Sequence, residues 1–506
     1  MTSTLTTLDY ELPTDGLTGL FIDGAWAQPA TGATLVVENP CRRSPVATIG
    51  ASGSADVDAA VAAARRAFST WRLLPARTRG SALTELGNRV SAHAESIARL
   101  LAAETGNAVR TQSRGEVAGA AEVLRYYGGV VSEIKGETLP LGPAMFSYTT
   151  REPLGVVGAI IPWNSPLVLA AVKIGMALGT GNTLVLKPAE DAPLAVLRVA
   201  ELAADVFPPG VLNIVTGTGT AAGAPLAQHS DVAKVSFTGS SEVGRSIGHA
   251  VADRIGHATL ELGGKSPSIV FPDAVTDEAI DELVTNLVAA LRFARQGQSC
   301  TAGSRLFLHT AVWKTVLPRL VAAVQDLTVG DALDEASDVG AVINAERYQE
   351  IRAFLVEAHL NGATFETGTV PSEVATDEGL YPQPVVITGV DNTWRISREE
   401  VFGPVLVVIP WTDEDEVIEM ANDTPYGLAA FVFTRDLGTA LRVTSRLDAG
   451  WIQVNQAGGQ IPGMSYGGMK QSGIGSEYSI EGALESYTTR KSVTVNIPAA
   501  SPPSEH

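Results

Sequence analysis

Only two cysteines, Cys41 and Cys300, stand among 506 residues. Two thiols are too few for a disulfide framework or a cysteine-rich zinc site, so neither is expected, and a reducing, cytoplasmic setting fits. Positive charge is also scarce, with 36 basic against 55 acidic residues and a formal net charge of −19. Such a surface repels phosphate backbones and anionic lipid, which argues against nucleic-acid and membrane partners. No stretch approaches the roughly 20 uninterrupted apolar residues of a spanning helix, and Met1 to Gly16 lacks the basic head and apolar run of a secretory signal. Internal repeats and long low-complexity linkers are absent too.

What is present is an ordinary globular composition, 45% hydrophobic and 18% charged, in a chain long enough for two or three domains. Short β-branched runs alternate with Ala-rich helical stretches, the pattern of βαβ units and a parallel sheet. Val156 to Ile161 reads as a buried strand, Leu167 to Leu178 as a helix and Thr183 to Leu186 as the next strand. The pattern continues through helical Leu194 to Phe207, strand Val211 to Val215, helical Ala221 to Gln228 and strand Val235 to Phe237, which runs into Thr238-Gly239. This predicts an α/β, doubly wound, Rossmann-like nucleotide-binding arrangement. Ser54 to Thr105 reads as mostly helix. A second α/β block starts after Pro267, with strand Ser268 to Phe271 and helical Asp277 to Arg292, and extends to about Gln460. Gly136 to Arg151 and Tyr487 to Ile497 read as extended, and the two ends of the chain, 1–16 and 499–506, as poorly ordered.

Cys300 lies in Phe293-Ala294-Arg295-Gln296-Gly297-Gln298-Ser299-Cys300-Thr301-Ala302-Gly303-Ser304. Its small, polar neighbours suggest an exposed, reactive thiol rather than an inert buried one. The string resembles the nucleophile motif of the NAD(P)-dependent aldehyde dehydrogenases, and Leu260-Glu261-Leu262-Gly263-Gly264-Lys265-Ser266-Pro267 resembles the glutamate motif of that family. The order is kept by Pro162-Trp163-Asn164, Lys187-Pro188-Ala189-Glu190, Phe237-Thr238-Gly239-Ser240, Glu400-Val401-Phe402-Gly403-Pro404 and Tyr466-Gly467-Gly468-Met469-Lys470-Gln471-Ser472-Gly473. The resemblance covers roughly residues 20 to 497. It implies a cofactor domain over 17–135 and 152–266, a catalytic domain over 267–460, a return to the cofactor domain over 461–482, and an oligomerisation sheet from 136–151 and 483–498. A homodimer or homotetramer follows from that sheet. The bare alternative is a hairpin closing its own domain.

The same resemblance implies roles. Cys300 would be the nucleophile, Glu261 the base for hydrolysis and Asn164 an oxyanion donor, with no metal. Oxidising an aldehyde calls for an sp3 carbon that can expel hydride, which a thiolate creates by adding to the carbonyl. A free thiol is only a few per cent ionised near neutrality, so the site must lower its pKa or supply a base. NAD would be held by Trp163, Lys187, Glu190, Gly239, Ser240, Gly244, Leu262, Glu400 and Phe402. Glu190 favours NAD over NADP, because a carboxylate accepts from a free 2′-hydroxyl and repels a 2′-phosphate. The glycines form a single Gly239-x4-Gly244 step rather than the GxGxxG fingerprint.

Plainer readings accompany each. Asn164 could cap a helix before Pro166, Glu261 could end a strand at the surface, Phe402 could be core, and Lys173 and Glu477, which match positions that relay protons or tune the site in relatives, could lie on solvated faces. Ser165 and Met464-Ser465-Tyr466 depart from the commonest family strings, so the substrate tunnel is expected to be wider or more polar. An aldehyde substrate, unspecified as to chain, ring or charge, is the expected partner. The competing activities are acyl transfer to coenzyme A, cysteine esterase action, and binding without catalysis.

Overall fold

The computed structural model describes residues 12–17, 19–373 and 379–497. Of the two ends expected to be poorly ordered, 1–11 and 499–506 lie outside the described residues.

Five parallel strands form the heart of an eight-stranded sheet, in the order His257–Glu261, Val232–Thr238, Val156–Ile160, Thr183–Lys187 and Leu212–Ile214. Val156–Ile160 and Thr183–Lys187 are buried along their whole length, as strands covered on both faces must be. One edge is closed by Gly473–Ile474, antiparallel to the Glu261 strand, and the other by the hairpin Leu20–Ile22 and Ala25–Ala27. The crossing helices are Pro166–Gly179, Leu194–Ala203, Ala224–Gln228 and Ser241–Ala252.

The elements expected here all exist, with moved ends. The helix expected to reach Phe207 stops at Ala203, and the one expected from Ala221 starts at Ala224, after a π-helical turn over Gly219–Gly223. Ser54 to Thr105 resolves into three helices, Ser54–Trp71, Ala76–Ala92 and Ala94–Thr105.

A seven-stranded sheet carries Pro267–Val270 and Arg305–His309 side by side at its centre, flanked by Val405–Trp411 and Val385–Thr388 on one side and Ala429–Phe433 and Trp451–Val454 on the other. These six strands are parallel. The helix expected over 277–292 spans Ile280–Ala290. Thr488–Asn496 pairs antiparallel with Met145–Pro153 over nine residue pairs, and Thr138–Leu139 completes a third sheet. Arg490↔Arg151 and Val495↔Phe146 fix the register, and Met145, Phe146 and Val495 remain exposed on it.

Candidate active site

The parallel strands of the eight-stranded sheet end side by side, at the place where open α/β sheets bind ligands. Thr183–Lys187 ends on Lys187, His257–Glu261 on Glu261, and Val232–Thr238 just before Gly239 and Ser240. Val156–Ile160 leads into Pro162-Trp163-Asn164 and then the helix that opens at Pro166. Cys300 arrives from the other block, on the loop between the short helix Phe293–Arg295 and strand Arg305–His309.

That loop is held in an unusual backbone shape. Arg292, Gln296 and Gly297 all have positive φ, +64°, +52° and +65°, a region that costs non-glycine residues energy and collects at functional sites. A side chain on Gly297 would run into the backbone of Gly403.

Cys300, Glu261, Asn164 and Ser165 line one cavity of about 320 Å³, together with Glu116, Arg292, Arg295, Tyr466 and Glu477. The expectation of an exposed thiol is corrected, and of the two ways to activate it, a lowered pKa or a nearby base, the resting site does not supply the first. Cys300 is half-buried, its Sγ lies 3.7 Å from Tyr466 Oη, and its pKa is pushed up to about 11, by burial first and then by the Glu400 charge. Glu261 is buried, not at the surface, and neither carboxylate oxygen has a hydrogen-bond partner among the described residues. Burial raises its pKa well above the usual range, Glu477 adds to that, and Lys173 opposes it.

Asn164 does not cap the helix; Ser165 occupies that position. Asn164 Nδ2 donates to the Gln298 carbonyl at 2.9 Å, two residues before Cys300, which ties the two strings together. Lys173 and Glu477 are not on solvated faces: both side chains are buried and form an ion pair, and Ser236 Oγ donates to Glu477 at 3.3 Å.

The residues expected to hold a cofactor gather at the same strand ends. Lys187 Nζ is 3.0 Å from Glu190 Oε2, with the lysine buried and the carboxylate half-exposed. The Gly219 N–H donates to the other oxygen of Glu190 at 3.4 Å, and Lys187 holds the Glu190 pKa below the usual range against a desolvation that raises it. Ser240 caps the helix Ser241–Ala252, its Oγ accepting from Val243 N–H at 3.3 Å. Its oxygen accepts within the helix, which leaves the hydroxyl proton free to donate. Gly244 packs on Leu262 so closely that a Cβ would stand 2.5 Å from Leu262 Cδ2. A Cβ on Gly239 would meet the Phe237 ring at 2.5 Å.

Trp163 and Phe402 meet edge to face with ring centroids 5.4 Å apart, both half-buried. Phe402 is thus not simply core, and its φ of +52° is rare for a bulky aromatic. Glu400 Oε1 accepts from Gly264 N–H at 3.0 Å, and burial lifts its pKa to about 7.

The sequence alone gives Arg295, Glu116 and Tyr466 no role, although Arg295 and Tyr466 lie in the segments 293–304 and 466–473. Nothing in the chain marks Glu116, which is buried on the helix Arg114–Val130. Ser165 lines the cavity as expected and accepts from Arg295. Met464 and Ser465 do not line it; they are exposed, and Tyr466 supplies that wall.

Comparison with known proteins agrees with this geometry. The model of the aldehyde dehydrogenase family matches residues 26–493. An aldehyde dehydrogenase of Enchytraeus buchholzi is 40% identical over 486 residues, covering 95% of this chain and 96% of its own. The structure of an aldehyde dehydrogenase from Bacillus cereus in complex with NAD+ superposes with a TM-score of 0.91 at 37% identity, covering 96% and 98% of the two chains. PnpE from Pseudomonas sp. WBC-3, also solved with nicotinamide adenine dinucleotide, gives 0.92 at 38% identity and covers 96% and 99%. The chain belongs to the aldehyde dehydrogenase family.

Proposed function

We propose that the protein oxidises an aldehyde to a carboxylic acid with NAD, through a thioester on Cys300 that water hydrolyses. The observation that carries this is one cavity holding a thiol, an unpartnered buried carboxylate and the Asn164 amide. The Cys300 sulfur adds to the aldehyde carbon as its proton leaves, and Glu261 is the carboxylate in the cavity free to take that proton. The resulting oxyanion meets the Asn164 amide and the Cys300 backbone N–H. After oxidation to the thioester, Glu261 passes the thiol proton to solvent and is again a carboxylate; it then draws a proton from water, the water oxygen bonds to the acyl carbon, and the C–S bond breaks. Carboxylate and thiol are the products of that step.

The residues present fit NAD. When bound, NAD supplies the hydride acceptor. Lys187 and Glu190 offer one donor and one acceptor of the kind that ribose hydroxyls need, the free N–H groups after Ser240 suit a pyrophosphate, and Gly239, Gly244 and Leu262 shape that turn. Trp163, Phe402 and Glu400 lie beside the catalytic cavity, where a nicotinamide ring and its ribose would be held. Support for NAD also comes from the two NAD-complexed relatives.

In this reading 17–135, 152–266 and 461–482 form the cofactor domain and 267–460 the catalytic one. The sheet expected from 136–151 and 483–498 consists of Thr138–Leu139, Met145–Pro153 and Thr488–Asn496, since Ile480–Tyr487 is helical; with Met145, Phe146 and Val495 exposed, it would pair subunits of a homodimer or homotetramer.

Steady-state NADH formation tests the reading. Cys300→Ala should abolish turnover and leave NAD binding, measured by fluorescence, nearly intact, while Cys41→Ala should turn over normally. Turnover retained in Cys300→Ala would overturn the reading.

A further inference from the structure

Among the described residues two guanidinium groups line the catalytic cavity, Arg292 and Arg295, and neither is hydrogen-bonded to a carboxylate. Arg292 makes no ion pair with a carboxylate among the described residues. Its Nη1 and Nη2 donate to the carbonyls of Ala457 and Gly458, at 2.8 and 2.7 Å, and its plane lies within 6.0 Å of the Phe431 and Trp451 ring centres. Carbonyls hold the group in place without cancelling its charge.

Arg295 donates to Ser165 Oγ through Nη1. With Gln112 turned so that its oxygen faces the guanidinium, that oxygen also accepts from Nη2 and, at 3.1 Å, from Nε, which leaves one N–H each on Nη1 and Nη2. The nearest carboxylate oxygen, Glu116 Oε2, is 4.0 Å from Nη2, beyond hydrogen-bond distance. Glu116 is engaged elsewhere. Its Oε1 accepts from Leu167 and Val168 N–H at 3.0 and 3.5 Å, at the start of the helix that follows Asn164. Burial raises its pKa, which weakens it further as a counterion. Glu122, which also borders the cavity, is exposed, so its charge is screened by solvent.

A half-buried arginine with donors to spare matches a planar anion better than an alkyl chain. Ser165 is integral to this, because its short side chain gives Arg295 both room and a hydroxyl partner.

We propose that the substrates are aldehydes bearing a second, anionic group, a carboxylate in particular, with Arg295 as the residue that recognises it and Arg292 supplying positive potential behind it. The inference rests on the reading that Cys300 and Glu261 oxidise aldehydes in this cavity. The aldehyde carbon is then oxidised as described, the distal carboxylate is unchanged, and the product is a dicarboxylate.

NADH formation by the full-length enzyme is to be measured with 4-oxobutanoate and 5-oxopentanoate, with butanal and pentanal as uncharged partners, and with 4-aminobutanal as the cationic one. At one of the two lengths, kcat/KM for the oxocarboxylate should exceed that for the alkanal by at least ~10-fold, mainly through KM, as expected for a charge-assisted hydrogen-bonded contact. In Arg295→Met the ratio should collapse toward one, and Arg295→Lys should recover part of it. A second measurement needs no variant: butanedioate or pentanedioate should inhibit the wild-type enzyme competitively against aldehyde at concentrations ~10-fold lower than butanoate or pentanoate.

Alkanals or 4-aminobutanal oxidised as well as the oxocarboxylates, or dicarboxylates no better than monocarboxylates as inhibitors, would overturn the inference and leave the proposed reaction standing. Oxidation of none of these aldehydes would count against the proposed reaction itself, and a rise in melting temperature no larger with the dicarboxylates than with the monocarboxylates would then count against the anionic pocket separately.

Discussion

Cys300 carries its proton in the resting protein, because burial and the Glu400 charge both disfavour a thiolate. The hydrogen bond with Tyr466 and the Arg295 charge pull the other way without winning. With a pKa near 11, only about one thiol in 10⁴ is ionised at pH 7. Alkylation by iodoacetamide, followed in a Cys41→Ala background without cofactor, should therefore accelerate about tenfold per pH unit between pH 7 and 9. A rate that levels off below pH 8 would contradict this electrostatic picture. At this scale the sequence was legible where a residue belongs to a compact string, as Cys300 and Glu261 do. It was silent on contacts such as Cys300 with Tyr466, which joins positions 166 residues apart, and Arg295 with Glu116 on separate helices. The wrong expectation of an exposed thiol came from reading small neighbours as openness; the sulfur is half-buried and in contact with Tyr466.

Helices take their places here partly through buried acids. Glu104, fully buried on Ala94–Thr105, accepts from Leu194 N–H at 2.6 Å and Ala195 N–H at 2.9 Å and so satisfies the first turn of Leu194–Ala203, the helix that follows Lys187 and Glu190. Burial lifts its pKa from 4.5 to about 8, despite those two bonds. A raised carboxyl pKa means the folded state keeps a proton that the unfolded chain gives up. This contribution to stability is complete below pH 4.5 and is lost as the pH climbs to about 8. Glu104→Gln has no such proton. Its melting temperature should lie below the wild type at pH 5, through one lost acceptor, and the gap should narrow by pH 8; thermal unfolding across that range checks it, and a constant gap would refute the buried-proton account. Element identity was legible from alternation and Ala-rich periodicity, whereas element ends were not. Phe207 lies beyond the end of its helix at Ala203, before Pro208 and Pro209, which disfavour helical backbone ahead of them, and the segment 219–223 winds as a π-turn; helix ends fray over a residue or two and carry little periodicity to read.

Across the whole molecule, the chemistry depends on two sheets meeting at one cavity. Glu261 ends a strand of the eight-stranded sheet, Cys300 hangs on the loop that precedes a central strand of the seven-stranded sheet, and the Asn164 amide bridges to that loop through Gln298. Gly473–Ile474 returns to pair with the Glu261 strand, which brings Glu477 behind the carboxylate and against Lys173. The doubly wound order and the second α/β block could be read from the chain, but the convergence of 116, 164, 261, 300 and 466 on one space could not, since no local pattern encodes a distance between sheets. The central claim is that oxidation builds an acyl group on Cys300 and that Glu261 serves its removal. Intact-protein mass spectrometry of Glu261→Gln, mixed with an oxidisable aldehyde and NAD, tests this most directly. An acyl adduct mapped to Cys300 should accumulate while steady-state turnover falls by about 10²-fold or more; an unmodified protein turning over at the wild-type rate would contradict the account.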